Sequence, residues 1–144
     1  MRRMRAVGFL VGLALLSLNL NGQCKRLVKK TIPELAPFVF NGQLNNVVLT
    51  EGESAELYVV FQSDVEYRIL TCGDKFFRYV RFVVKDEEGN IFFDSEQNEN
   101  ASSWDFQLTT TQTLIVQVSV PIDESGSSDM AYRGCVGVLI GYVD

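Results

Sequence analysis

Three cysteines, 18 carboxylates and no histidine make up the chemically active inventory of this 144-residue chain. Without histidine there is no Ser-His-Asp or Cys-His nucleophile pair and no His-bearing zinc site. The side chain whose ordinary pKa suits proton transfer near neutral pH is also missing. What remains is carboxylate and thiol chemistry. The acidic residues cluster at Asp86-Glu87-Glu88, at Asp94, Glu96 and Glu99, and at Asp123, Glu124 and Asp129. Paired carboxylates can cleave glycosides and oxygen-rich loops can hold calcium. None of these clusters has EF-hand spacing, however, and each falls in a predicted turn, where solvated charge is expected anyway. No base stands near any cysteine in sequence to ionise it, so a structural thiol is the reading rather than a catalytic one. No catalytic residue, metal ligand or cofactor is assigned, and the chain reads as a noncatalytic protein.

The aromatic residues are the remaining candidates, because exposed rings on a sheet can stack on sugars or anchor a protein partner. Tyr58 and Tyr79 fall on the outward side of their predicted strands, since Val59 and Val80 take the inward one. Trp104 shares a face with Phe106, which favours the core, and it stays a weak binding candidate beside the two tyrosines. Asn100-Ala101-Ser102 matches the N-glycosylation sequon.

The elements that must position these residues are strands. Runs of β-branched and aromatic residues with a period of two recur at intervals of roughly 8 to 12 residues. Strands are predicted near 47–50, 55–62, 66–72, 79–85, 91–94, 103–108, 114–120 and 134–143. Val80, Phe82 and Val84 alternate with Arg81 and Lys85, and Leu114, Val116, Val118 and Val120 alternate with Gln117 and Ser119. Those apolar sets belong to the core. The last run, 134–143, is apolar on both faces and carries Gly137 and Gly141. It suits a central strand covered on each side, or one that another backbone approaches closely. Gly89 and Asn90 mark a hairpin between 83–85 and 91–93. The fold class is all-β: an antiparallel, jelly-roll-like β-sandwich of about eight strands over 46–144. Residues 23–45 read as an irregular basic lead-in, in which Leu27 and Val28 could open a short helix that Pro33 and Pro37 stop.

Residues 1–22 have the layout of a cleaved signal peptide. Arg2, Arg3 and Arg5 precede a charge-free apolar run from Ala6 to Leu20, which is short of the roughly 20 residues a spanning helix needs. Export to the periplasm or the medium is expected. Loss of the three arginines leaves 10 basic against 18 acidic residues, a net charge of −8. Nucleic acid is therefore excluded as a partner. The remaining cations gather at Lys25, Arg26, Lys29 and Lys30, which read as a solvated first turn or, more sharply, as a basic arm for an anionic surface. Cys24 follows the apolar run, but Gln23 before it is a poor lipobox residue. A membrane enters this reading only if Cys24 is lipidated.

An oxidising compartment allows one bridge and one spare thiol. Cys72 closes one predicted strand and Cys135 opens another, so a Cys72–Cys135 disulfide is favoured, with Cys24 as the competitor for either partner.

The segments QCKRLVKKTIPELAPFVFNGQLNNVVLTEGESAEL, YRILTCGD, VVKDEEGNIFFDS, WDFQLTTTQTLIVQVSVP and GCVGVLIGYV together resemble small exported β-sandwich proteins of the Bacteroidota. Their order is loosely similar to pre-peptidase C-terminal and GOLD-type domains, which share a Gly-Asn turn and a Gly-rich last strand. The resemblance implies a noncatalytic module. The expected function is binding of an envelope protein or glycan. A self-associating envelope subunit, joined through sheet edges or the spare cysteine, is the alternative, and a small carboxylate-dependent hydrolase is third.

Overall fold

In the computed structural model, residues 24–122 and 131–143 are described. The expected signal peptide and the cluster Asp123, Glu124 and Asp129 lie outside the described residues. A helix α1 (residues 24–31) continues into a 3-10 turn, Ile32–Leu35. The strands are β1 (Val39–Phe40), β2 (Asn45–Thr50), β3 (Ser54–Phe61), β4 (Glu66–Gly73), β5 (Arg81–Asp86), β6 (Ile91–Asp94), β7 (Ser103–Gln107), β8 (Gln112–Ser119) and β9 (Arg133–Val143). One sheet has the order β2-β9-β4-β7, with β1 pairing further along the same edge of β9, and the other has the order β3-β8-β5-β6. All described pairings are antiparallel. Counted from β2, this is the interleaved strand order of a jelly roll, in which successive strands wind between two facing sheets.

The alternating pattern of each strand sets its inner face. Phe61, Phe82, Val84, Leu114, Val116 and Val118 from one sheet meet Ile69, Val136, Val138 and Ile140 from the other, all of them buried. Along the β6/β7 side the sandwich is closed by stacked rings. Phe93 and Trp104 lie 5.2 Å apart, Trp104 and Phe106 lie 4.4 Å apart, and Phe61 stands edge-on to Phe106 at 5.0 Å. The opposite side, between β2 and β3, stays open.

β9 is apolar on both faces because both are covered. Its outward residues Cys135 and Leu139 lie beneath the N-terminal segment, where Val28 and Leu35 join Leu70 and Leu139 in a second core. A Cβ at position 137 would lie 2.6 Å from Val28 Cγ2 and 2.8 Å from Cys72 Sγ, and one at 141 would lie 2.8 Å from Phe38 Cβ. Glycine at these two positions lets a helix and its following turn lie directly on the sheet.

The lead-in is therefore ordered and helical, where an irregular segment was expected. Lys, Arg and Leu are good helix formers, and Cys24, Val28 and Thr31 recur on one face, buried. Pro33 does not abolish the helix. It sits at the start of the 3-10 turn, where its missing N–H costs nothing. Arg68 fastens the end of this segment: its guanidinium lies 4.3 Å from the Phe38 ring centroid and donates to the Leu35 and Ala36 carbonyls at 3.4 Å.

Two smaller expectations shift. The strand expected over 79–85 begins at Arg81, and β1 is an additional short strand. The expected β5–β6 hairpin forms, with Gly89 taking the positive φ, while Asn90 instead hydrogen-bonds to the Asp86 carboxylate.

The close approach at residue 137 makes a prediction. Gly137→Ala should lose about 1–3 kcal/mol of stability by overpacking the helix against the sheet. Val28→Ala in the same chain should return part of that loss, as measured by urea denaturation of both variants and the pair.

Candidate functional site

The cysteine pairing differs from expectation. The bridge is Cys24–Cys135, with Cα atoms 5.4 Å apart, and Cys72 is the free thiol. Register explains it. Cys72 pairs across β4/β9 with Gly137, while the Cys135 carbonyl accepts from Asp74 N–H, so Cys72 and Cys135 are two residues out of step. Such diagonal neighbours stand about 7–8 Å apart at Cα, outside the usual disulfide span of about 4.4–6.8 Å. The helix instead brings Cys24 over Cys135, where it is buried. Burial pushes the Cys72 thiol above its ordinary pKa, partly offset by a hydrogen bond with Thr31. In this arrangement the Cys24 sulfur is held in the bridge.

In the described clusters, the Asp86, Asp94 and Glu96 carboxylates serve the fold. Asp86 accepts from the backbone N–H of Glu88 and Asn90 in its own turn. Asp94 takes both nitrogens of an Arg81 fork, at 3.2 and 2.8 Å, and caps the following 3-10 turn through Glu96 N–H. Arg81 also lies 3.2 Å from Glu96. Asp105 holds Arg68 in a second fork, at 2.7 and 2.8 Å. Among the described residues, no group of three or more His, Cys, Asp and Glu side chains is placed to hold a metal ion.

The three aromatic candidates occupy different places. Trp104 is half-buried in the ring stack that closes the β6/β7 side. Tyr79 precedes β5 and its hydroxyl donates to Glu96 at 3.0 Å; burial and this carboxylate both raise its pKa. Tyr58 stands on the outer face of the β3-β8-β5-β6 sheet, 61% exposed.

Tyr58 has apolar company. Across the sheet it pairs with Ile115, Ile115 pairs with Lys85, and Lys85 pairs with Ile91. Val60 and Ile91 are each 64% exposed, whereas Ile115, between its neighbours, is only 7% exposed. A shallow depression of about 310 Å³ continues this face over Val83, Lys85, Ile91 and Gln117. Among the described residues nothing lies over this surface, whereas α1 and the 3-10 turn cover the outer face of the other sheet. Sequence reading found Tyr58 but missed Val60, Ile91 and Ile115. The available signal was that Tyr58 and Val60 hold alternate, outward positions of β3.

Two clefts mark the open side between the sheets. One of about 270 Å³ lies between Asn46, Leu57, Val118 and Val138, and one of about 290 Å³ between Val59, Phe61, Ile140 and Tyr142.

Charge is divided unevenly along the chain. Lys25, Arg26, Lys29 and Lys30 are all exposed on α1. Residues 1–22 and α1 account for seven of the 13 Lys and Arg, so six remain after α1 against all 18 Asp and Glu. Two like-charged pairs on α1, Lys25/Lys29 and Arg26/Lys30, have i,i+4 spacing, which costs an isolated helix about 0.2–0.5 kcal/mol each. Packing and the disulfide hold the helix despite them.

No family model matches the chain, and no curated protein matches it. Among solved structures it is similar to Aeromonas hydrophila PliG, a periplasmic lysozyme inhibitor of g-type lysozyme. The likeness has 10% identity and a TM-score of 0.53, and covers 74% of this chain and 89% of that one. A de novo designed double-stranded β-helix matches at 16% identity with a TM-score of 0.33, over 70% of this chain and 99% of that one. At this identity the inhibitor establishes a shared β-sandwich fold.

Two outcomes follow for the cysteine and carboxylate networks. Cys72 should alkylate slowly in the native protein and fully in denaturant, and a non-reducing peptide map should link Cys24 to Cys135. Arg81 holds the Asp94 carboxyl below its ordinary range, so the ionised form stabilises the fold above the unfolded value of about 3.9. That contribution is lost as pH falls through the lower folded value. Asp94→Asn should therefore cost about 1–2 kcal/mol at pH 7, with the gap to the parent closing as urea midpoints are followed down below about pH 4.

Proposed function

We propose that this chain is a noncatalytic binding module of the cell envelope, and that it takes a protein partner on the outer face of the β3-β8-β5-β6 sheet. The observation that carries the reading is the group of exposed apolar side chains Tyr58, Val60 and Ile91 on the sheet surface that α1 does not cover, with Ile115 and Lys85 between Tyr58 and Ile91 in the cross-strand row. Large apolar side chains grouped in water on one sheet face mark interaction sites, and a tyrosine among aliphatic side chains is a common anchor. A protein suits this flat, wide face better than a glycan, since Tyr58 is the one aromatic ring in the row.

Three further points support the reading. The disulfide fits an oxidising compartment. The chain has no histidine, and Asp86, Asp94 and Asp105 are engaged in turns and ion pairs. The fold is shared with a periplasmic protein that inhibits a g-type lysozyme, which makes such a lysozyme the first partner to try. Export by a cleaved signal peptide belongs to the same proposal.

The alternative, self-association through this face or through the free edges of β2 and β3, makes a different prediction for the same variant. The test is a photo-crosslinking residue placed at Tyr58, Val60 or Ile91 in cells, with one at exposed Gln107 as control. Adducts confined to the face positions and abolished by Ile91→Ser are the expected result. Crosslinks only to a second copy, together with a dimer that Tyr58→Ser turns into a monomer, would favour assembly. Titration with a g-type lysozyme, following loss of lytic activity, decides that particular partner. Tyr58→Ser should weaken binding at least tenfold without lowering thermal stability, because the side chain is already in water.

A further inference from the structure

We propose that the exposed face of α1 is a docking surface for an anionic phospholipid membrane, and that it turns the bare β3-β8-β5-β6 face away from the bilayer. Lys25, Arg26, Lys29 and Lys30 occupy an arc of about 140° on the helix, opposite the face that buries Cys24, Val28 and Thr31. The pattern is the sequence's own: each cation is spaced to miss the buried side. None of the four is in an ion pair among the described residues.

Three observations select a membrane. First, charge favours an anionic partner at the helix: its exposed face carries four cations, while the chain that follows it carries 18 acidic against six basic residues. An anionic plane attracts the helix and repels the net-negative remainder of the chain, which orients the molecule. Second, the cations ride on a helix fixed by the Cys24–Cys135 bridge and by Val28 against Gly137, so adsorption positions the whole sandwich. Third, the four cations form an exposed ridge on the outside of the sheet, with the helix's apolar residues turned inward. Such a ridge answers a smeared field of lipid phosphates and does not by itself recognise a shape. The contact is made by solvated side-chain charges, so it is peripheral and salt-sensitive. It needs no lipid on Cys24.

The outer faces of the two sheets point in opposite directions, so adsorption through α1 presents Tyr58, Val60 and Ile91 outward. The membrane contact itself does not depend on the binding role given to that face.

The experiment is co-sedimentation of the purified, oxidised protein with vesicles of phosphatidylcholine alone or with about 30% phosphatidylglycerol, at about 0.05 M and 0.5 M salt. Binding to the anionic vesicles only, at low salt only, is expected. Each Lys→Gln or Arg→Gln change on the face should lower partitioning about fivefold, and the quadruple variant more than a hundredfold. These side chains are solvent-exposed, so the Cys24–Cys135 linkage and near-UV circular dichroism should be retained. If the quadruple variant misfolds, the four single variants give the same graded test. Absence of binding to anionic vesicles at low salt, or binding unchanged by the substitutions, overturns the proposal. Binding to soluble poly-glutamate but not to vesicles also overturns it, in favour of an acidic polypeptide. Tyr58→Ser should leave vesicle binding intact, so failure of the membrane contact and failure of the protein-binding face are separately visible.

Discussion

Everything in this molecule is arranged around a strand that must be covered on both sides. β9 alternates Val136, Val138 and Ile140 toward the facing sheet with Cys135, Gly137, Leu139 and Gly141 toward the outside. Exposing the outward set would leave Leu139 and the glycine backbone in water, with a cost in lost burial and in unconstrained main chain. The N-terminal segment removes that cost. Val28 and Leu35 fill the space the glycines leave, the disulfide ties the start of the helix to β9, and Arg68 ties the end of the turn to β4. The result is a three-layer arrangement, helix on sheet on sheet, in a chain whose strand pattern alone describes two layers.

That third layer breaks the symmetry of the sandwich. One outer face is paved by the helix and the other keeps its apolar side chains in water. One long side is closed by the Phe93–Trp104–Phe106 stack, and the other is open between β2 and β3. The acidic turns that follow β5 and β6 belong to the sheet that α1 does not cover, while four cations gather on α1. A molecule with one cationic side and one bare apolar face has two distinct surfaces to offer, and the chemistry of each differs: long-range and salt-sensitive on the helix, short-range and dependent on desolvation on the sheet. The internal polar groups, by contrast, are occupied with one another. Two arginine forks bind aspartates directly across from them or on the next strand, Arg68 with Asp105 and Arg81 with Asp94. They lock register and turn geometry where a catalytic site would need groups held free for a substrate.

Much of this was legible in the residues because strands and turns are specified locally. The period-two alternation of 80–85 and 114–120 depends only on the pleat, and it located the inner faces of β5 and β8. Gly89 marked a turn because its φ is free of a Cβ, and the doubly apolar stretch 134–143 identified a central strand before its neighbours were known. What only the tertiary structure decided are matters of register and contact. Cys72 and Cys135 sit at the ends of adjacent strands as the sequence implies, but an offset of two residues across β4/β9 moves them apart, and no local pattern encodes that offset. Residues 24–31 have ordinary helix propensity and two prolines downstream, and their helix forms because a glycine-lined sheet face waits for Val28. In the sequence Trp104 leans to the core through the face it shares with Phe106, while Tyr58 and Tyr79 look alike as outward residues. Stacking on Phe93, a hydrogen bond to Glu96 and an uncovered sheet face separate them, because exposure belongs to the packing of distant segments and not to the residue itself.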